Sequence, residues 1–255
     1  MNAAPARRAL AEGLGTGLLV TVVVGSGIMA QRLSPHDVGL ELLENSISTA
    51  LGLGVLILML GPVSGAHFNP VVTLADYVLG RRSGTGVDVR TAALFIPVQI
   101  AGGIGGAVLA NLMFALPAAT ASTHARTGAH LWLGEVVATA GLILLIFSLA
   151  RTGRGSSGPA AVGAYIGAAY WFTSSTSFAN PAVTIARAFT NTFAGIAPGS
   201  IGGFIAAQLI GALIGVGLIA LLYPHLATPA TPLAAADNTT DRIATSPSTS
   251  ARSRS

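Results

Sequence analysis

The sequence predicts an all-α membrane protein of six transmembrane helices and two half-helices, arranged as an inverted three-helix repeat. Three observations lead there. Apolar runs long enough to cross a bilayer, which takes about 20 residues per helix, recur along most of the chain. A short motif occurs twice, as Ala66-His67-Phe68-Asn69-Pro70-Val71-Val72-Thr73 and as Ser177-Phe178-Ala179-Asn180-Pro181-Ala182-Val183-Thr184, each copy close behind such a run. Residues of the first half also return in the second: Glu12 with Glu135, and Gln99, Gly102 and Gly106 with Gln208, Gly211 and Gly215 at the same spacing.

Composition agrees with that class. Of 255 residues, 52% are hydrophobic and 9% charged, with a mean hydropathy of +0.70; soluble domains carry roughly 25% charged residues. The 32 glycines suit membrane helices that pack closely. With no cysteine, disulfides, thiolate metal sites and cysteine nucleophiles are excluded. All 13 basic residues are Arg, from which no function follows. The net charge of +4 sits in loops and tail, with no basic cluster interleaved with aromatics, so no nucleic-acid partner is expected. No His–carboxylate cluster has metal spacing and no nucleophile–base constellation occurs, so no metal, cofactor or enzymatic activity is expected.

In chain order the spans fall at about 9–30, 45–61, 92–115, 132–150, 160–176 and 200–222, with short apolar helices at about 70–79 and 181–190. Arg7-Arg8 before the first run resembles a signal-peptide start, but Glu12 interrupts the run and no cleavage site follows promptly, so it counts as the first span. Repeat one covers about 8–116 and repeat two about 130–222, together a channel domain over 1–222. Three spans per repeat is odd, so the second copy sits upside down in the membrane. Gly13/Gly17, Gly102/Gly106 and Gly211/Gly215 have small-xxx-small spacing and mark helix crossings. The loop 151–158 reads as a flexible connector, with a gate as the alternative. The stretch 223–255, rich in Pro, Thr, Ser and Ala, cannot bury a core and reads as a disordered tail. Most Arg residues, Arg7, Arg8, Arg81, Arg82, Arg90, Arg151 and Arg154 among them, fall on the side of both termini, leaving Arg32, Arg126 and Arg187 elsewhere. By the positive-inside rule both termini are cytoplasmic, and the location is the plasma (inner) membrane.

The duplicated motif carries the chemistry. Each copy places Asn at a helix cap and Pro at the first helical position, where its missing N–H costs nothing. Half-helices entering from opposite faces bring their N-termini together near the midplane, each with unpaired N–H groups and a positive dipole end of about half a charge. That barrier repels cations and suits neutral solutes that accept hydrogen bonds. Asn69, Pro70, Val71, Asn180, Pro181 and Ala182 therefore form the candidate pore midplane. A carboxylate inside an apolar span is costly unless paired; Glu12 and Glu135 read either as proton or ion sites or as anchors of their own repeat's broken backbone, and their symmetry favours anchoring. His67 lines an inner vestibule or is a packed loop histidine. Asp76 and Arg187, each seven residues after an Asn, point to opposite faces; surface roles are expected, without a mutual pair.

Ser64-Gly65-Ala66-His67-Phe68-Asn69-Pro70 and Asn180-Pro181-Ala182, together with Glu12 and Glu135, resemble the aquaporins and aquaglyceroporins, the major intrinsic protein channels. The resemblance covers about residues 8–222. It implies a six-helix bundle with two half-helices, a homotetramer with one pore per subunit, and passive flow of small neutral solutes across the lipid bilayer. Two departures stand out. The first motif is Asn-Pro-Val, with Val71 third. The selectivity-filter Arg that the family carries after the second Asn-Pro-Ala is Val183 here. Counting without gaps, the other filter positions are Thr49, Ala168 and Ser177, so the expected filter is wide and uncharged. Val183 with the run Tyr170 to Ala179 is similar to the bacterial subgroup associated with arsenic resistance, which implies As(OH)3 or glycerol, and water, as solutes. The alternatives are a general water and glycerol facilitator, a secondary active transporter built on broken helices, and a closed membrane protein acting through contacts.

Overall fold

The computed structural model describes residues 4–81 and 84–224. Eight α-helices follow in order: α1 (Pro5–Leu33), α2 (Val38–Ser64), α3 (Pro70–Gly80), α4 (Val89–Met113), α5 (Ala129–Arg151), α6 (Gly158–Phe172), α7 (Pro181–Ala186) and α8 (Ile201–Leu222). Among the described residues there is no strand. Five of the helices, α1, α2, α4, α5 and α8, are long and apolar enough to cross a membrane. The sixth, α6, has 15 residues and spans about 22 Å at 1.5 Å per residue; a 3-10 turn, Gly155–Ser157, leads into it.

The expected fifth span, to residue 176, therefore ends four residues early. The cause is local: Thr173 turns extended, and Thr176, Ser177 and Ala179 take positive φ angles of 60°, 47° and 47°. The expected second span begins too late by seven residues, because the Asp37 side chain caps the helix by accepting from the Leu40 N–H at 2.9 Å and carries it out past Glu41 and Glu44. The expected helix at 181–190 is α-helical only to Ala186 and continues as a 3-10 turn, Arg187–Phe189. Residues 225–255 of the expected tail, and Arg82, lie outside the described residues.

The halves pack alike. In repeat one, α1 crosses α4 at glycines: a Cβ on Gly102 would stand 2.0 Å from the Gly13 carbonyl oxygen, and one on Gly106 would stand 2.0 Å from that of Gly17. In repeat two, α5 meets α8 at the corresponding places, where a Cβ on Gly211 would lie 2.5 Å from the Val136 oxygen. Without hydrophobic drive inside a bilayer, backbone approach at small residues supplies the van der Waals contact that holds helices together. The same device joins the repeats, since a Cβ on Gly163 of α6 would meet the Ala50 oxygen of α2 at 2.5 Å.

One face of the bundle, the terminal face, carries the start of α1 and the end of α8. There the Arg151 guanidinium donates to the Ile219 oxygen at 3.1 Å and to the Tyr223 oxygen. The opposite face carries the α4–α5 connection and the segment after α7, stitched by Thr120 N–H to the Phe189 oxygen at 3.1 Å and Ser122 N–H to the Ala188 oxygen at 3.0 Å.

Candidate functional site

Each half-helix starts where the sequence places it. Asn69 and Asn180 are extended N-caps, with φ of −156° and −158°. The Asn69 Oδ1 accepts from the Val71 N–H at 3.1 Å, and the Asn180 Oδ1 from Ala182 and Val183 at 3.0 and 3.3 Å. The amide nitrogens reach across the pseudo-twofold. Asn69 Nδ2 donates to the Ala179 oxygen and Asn180 Nδ2 to the Phe68 oxygen, both at 2.8 Å. An amide has two N–H donors, so one hydrogen on each Asn is left for a solute beside it.

The carboxylates fix the broken backbone behind those caps. Glu12, fully buried, accepts from Ser64 Oγ at 2.6 Å and His67 N–H at 3.0 Å on Oε1, and from Phe68 N–H at 2.7 Å and Gln99 Nε2 at 2.8 Å on Oε2. Glu135 repeats the set with Ser175 Oγ at 2.6 Å, Phe178 N–H at 2.8 Å, Ala179 N–H at 2.8 Å and Gln208 Nε2 at 2.6 Å. Left-handed backbone at Ala66 and Phe68, and at Ser177 and Ala179, lets these N–H groups converge on one carboxylate. Such residues cost about 1–3 kcal/mol each, against charge-assisted bonds of about 1.5–3 kcal/mol apiece. Gln99 and Gln208 extend each network to Thr73 and Thr184, at 3.0 and 2.9 Å. Each carboxylate thus accepts from four donors, two of them N–H groups of its own repeat's broken backbone, and neither lines the cavity.

A cavity of about 600 Å³ runs from Ala150, Gly155 and Pro159 at the terminal face, past Asn69 and Asn180, to Val183 and Arg187. Each half-helix offers it the positions i, i+3 and i+7, which share one face: Asn69, Val72 and Asp76 from α3, and Asn180, Val183 and Arg187 from α7 and its 3-10 turn. Pro70, Val71, Pro181 and Ala182 are buried and stand behind that face, outside the cavity lining. His67 lines the terminal side; its Nδ1 is 3.1 Å from Thr73 Oγ1 and its Nε2 3.8 Å from Asp76 Oδ2.

Of the four expected filter residues, Thr49, Ser177 and Val183 line the cavity together, and Ala168 does not. Ala168 is exposed on the outside of α6. The ungapped count from Asn180 misses the helix phase: the cavity face of α6 reads Pro159, Val162, Ile166 and Tyr170, and Ala168 lies off that stripe. Tyr170, which the count passes over, lines the cavity there, its hydroxyl 3.2 Å from Thr49 Oγ1. The i, i+4 spacing of Ile166 and Tyr170 was the available signal. Ser177 lines the cavity through other atoms, since its Oγ is enclosed and has no hydrogen-bond partner.

Arg187 corrects a second expectation. It is 2% exposed and far from a surface role. Its Nε donates to the Ala194 oxygen, and its guanidinium carbon lies 3.5 Å from the Phe178 ring centroid. Arg126, from the α4–α5 loop, comes within 5.2 Å of the same ring and ties down the Gly195 and Phe193 oxygens at 2.9 and 3.3 Å. Burial pulls the Arg126 pKa below the ordinary arginine value.

The comparisons with known proteins fit this geometry. The family model described as Major intrinsic protein matches residues 2–179. Over 213 residues the chain is 51% identical to Aquaglyceroporin AqpS of Rhizobium meliloti (strain 1021), covering 84% of this chain and 88% of that protein. It is 33% identical over 114 residues to the Propanediol uptake facilitator PduF of Citrobacter freundii, covering 45% of this chain and 39% of that protein. The aquaglyceroporin structure from Plasmodium falciparum superposes with a TM-score of 0.64 at 18% identity, covering 85% of this chain and 96% of that one, a likeness of fold. The buried Asn pair, the two buried carboxylates and the cavity beside the Asn pair thus belong to an aquaglyceroporin-type channel for small solutes, not an enzyme, and the chain is a member of the major intrinsic protein family.

Proposed function

We propose that this chain passes glycerol and As(OH)3, and water with them, passively across the plasma (inner) membrane. The observation that carries the reading is the lining beyond the Asn pair. Thr49 and Tyr170, whose hydroxyl oxygens lie 3.2 Å apart, line the cavity there together with Ser177 and the apolar Val183. A polyol or As(OH)3 presents hydroxyls together with a less polar flank, and a constriction of that make exchanges hydration for hydrogen bonds at low cost. Val183, where the family carries Arg, leaves room for solutes larger than water. Tyr170 makes the constriction narrower than four small side chains would. A general water and glycerol facilitator remains the second reading, favoured by the name of the 51% identical relative, an aquaglyceroporin.

The proposal includes a homotetramer with one pore per subunit and both termini in the cytoplasm. Arg7, Arg8, Arg81, Arg90, Arg151 and Arg154 support that orientation by their place at the terminal face, while Arg126 and Arg187 are drawn inside the protein. Proteoliposomes tested by stopped-flow against glycerol, urea, boric acid, As(OH)3 and water decide the function. Glycerol and As(OH)3 should equilibrate faster than in empty vesicles, and Val183→Arg should depress their flux more than that of water. An equal fall for all solutes, or uphill accumulation driven by an ion gradient, would sink the reading.

A further inference from the structure

We infer that Arg187 is the selectivity cation of this pore: it sets a fixed positive charge and free N–H donors in the wall one helical turn beyond Val183. The inference rests on the channel reading above and adds a specificity-determining residue to it. Arg187 lines the cavity at 2% exposure. The Ala194 oxygen occupies its Nε. Its Nη atoms have no hydrogen-bond partner among the described residues, and neither is a fully enclosed orphan. A guanidinium has five N–H donors in a planar fork, so four remain for whatever the cavity holds.

No carboxylate makes an ion-pair contact with the guanidinium among the described residues. Among the described residues the ion pair found is His67 with Asp76, at the other end of the cavity. Glu135, a buried acid of the same repeat, attracts the guanidinium through space but spends its oxygens on four neutral donors and makes no contact with it. Phe178 fixes the position of the guanidinium, whose carbon stacks 3.5 Å from the ring centroid. Arg126 on the same ring adds a second cation behind it. A charge with no contacting counter-ion in a low-dielectric wall acts on ions in the lumen. Cations and hydronium are repelled, whereas neutral solutes with oxygen acceptors gain hydrogen bonds.

The two ends of the passage are opposite in sign. The residue equivalent to Arg187 in repeat one is Asp76, also seven after its Asn and also lining the cavity. Near-identical caps therefore lead outward to a cation on one side and to a carboxylate beside His67 on the other. The repeat duplicates the backbone device but not the charge, which places the cation barrier at one end only.

Full-length protein in liposomes with an entrapped pH dye and a valinomycin-clamped potassium gradient gives proton leak, and stopped-flow gives glycerol flux. Wild-type vesicles should hold a proton gradient as empty ones do while passing glycerol. Arg187→Met should raise the ratio of proton leak to glycerol flux by about tenfold or more, and Arg187→Lys, which keeps the charge, should keep the ratio low. A proton leak in conducting wild-type vesicles overturns the inference with no variant needed. So does a conducting Arg187→Met as tight as wild type, or a conducting Arg187→Lys that leaks. Absence of glycerol flux in wild type, with any proton trace, overturns the channel reading itself, a different outcome from a leak.

Discussion

Replacing Glu135 by Gln keeps the shape of the side chain and removes one charge and one acceptor. The consequence can be followed bond by bond. The new NH2 group must face either Ser175 Oγ and Phe178 N–H or Ala179 N–H and Gln208 Nε2. On the first side the Ser175 hydroxyl can turn round and accept, leaving Phe178 N–H without a partner. On the second, Gln208 can flip its unpaired Oε1 inward, leaving Ala179 N–H alone. Either way one buried backbone N–H is orphaned, at about 1–3 kcal/mol. The three remaining bonds lose charge assistance, roughly half their strength, which brings the total to about 3–7 kcal/mol. For a domain of this size each kcal/mol moves Tm by about 2–4 °C, so a fall of roughly 10 °C or more is expected. Thermal unfolding in detergent, followed by tryptophan fluorescence, measures it. A Tm within about 2 °C of wild type would refute anchoring. So would a fully folded variant that has lost solute flux, since that places the carboxylate in the conduction path.

Three further outcomes are expected. Gly102→Ala forces a methyl to 2.0 Å from the Gly13 oxygen; overpacking of this kind costs about 1–3 kcal/mol, read as a lower Tm, whereas Gly105→Ala on the same helix, with nothing near its Cβ, should not lower it. Tyr170→Ala should raise glycerol flux relative to water about threefold or more by widening the constriction, while Ala168→Leu, on the outside of α6, should leave that ratio unchanged; the reverse result would restore Ala168 to the filter. Asp88 caps α4 by accepting from Thr91 N–H at 2.7 Å, a bond that lowers its carboxyl pKa in the folded state. Its contribution to stability is then present above its unfolded pKa of about 3.8 and is lost as pH falls through the lower folded value. Asp88→Asn should flatten the acid limb of a Tm-against-pH curve there.

The sequence by itself determined the membrane class, the inverted repeat, the two half-helix starts and the symmetric carboxylates. Each is written in local chemistry. Asn before Pro suits the cap and first position of a helix, apolar length is counted along the chain, and Glu12 and Glu135 are costly in their spans unless paired. What stood behind each carboxylate was only partly legible: Gln99 and Gln208 stood out as a repeated pair, yet nothing in their spacing says that their amides meet the carboxylates. Which side chains line the cavity, and where a buried charge meets it, came from the tertiary structure. Ala168 and Tyr170 are two residues apart, and which of them meets the cavity depends on the phase of α6, set by where the broken backbone after Phe172 begins. Arg187 looked like a surface residue because a lone Arg in a short apolar segment usually is. Folding carried the segment after α7 back over the bundle, set Phe178 beneath the guanidinium, and turned the third lining position of the half-helix into a buried cation. Phase and enclosure are properties of packed neighbours, and no single segment of the chain contains them.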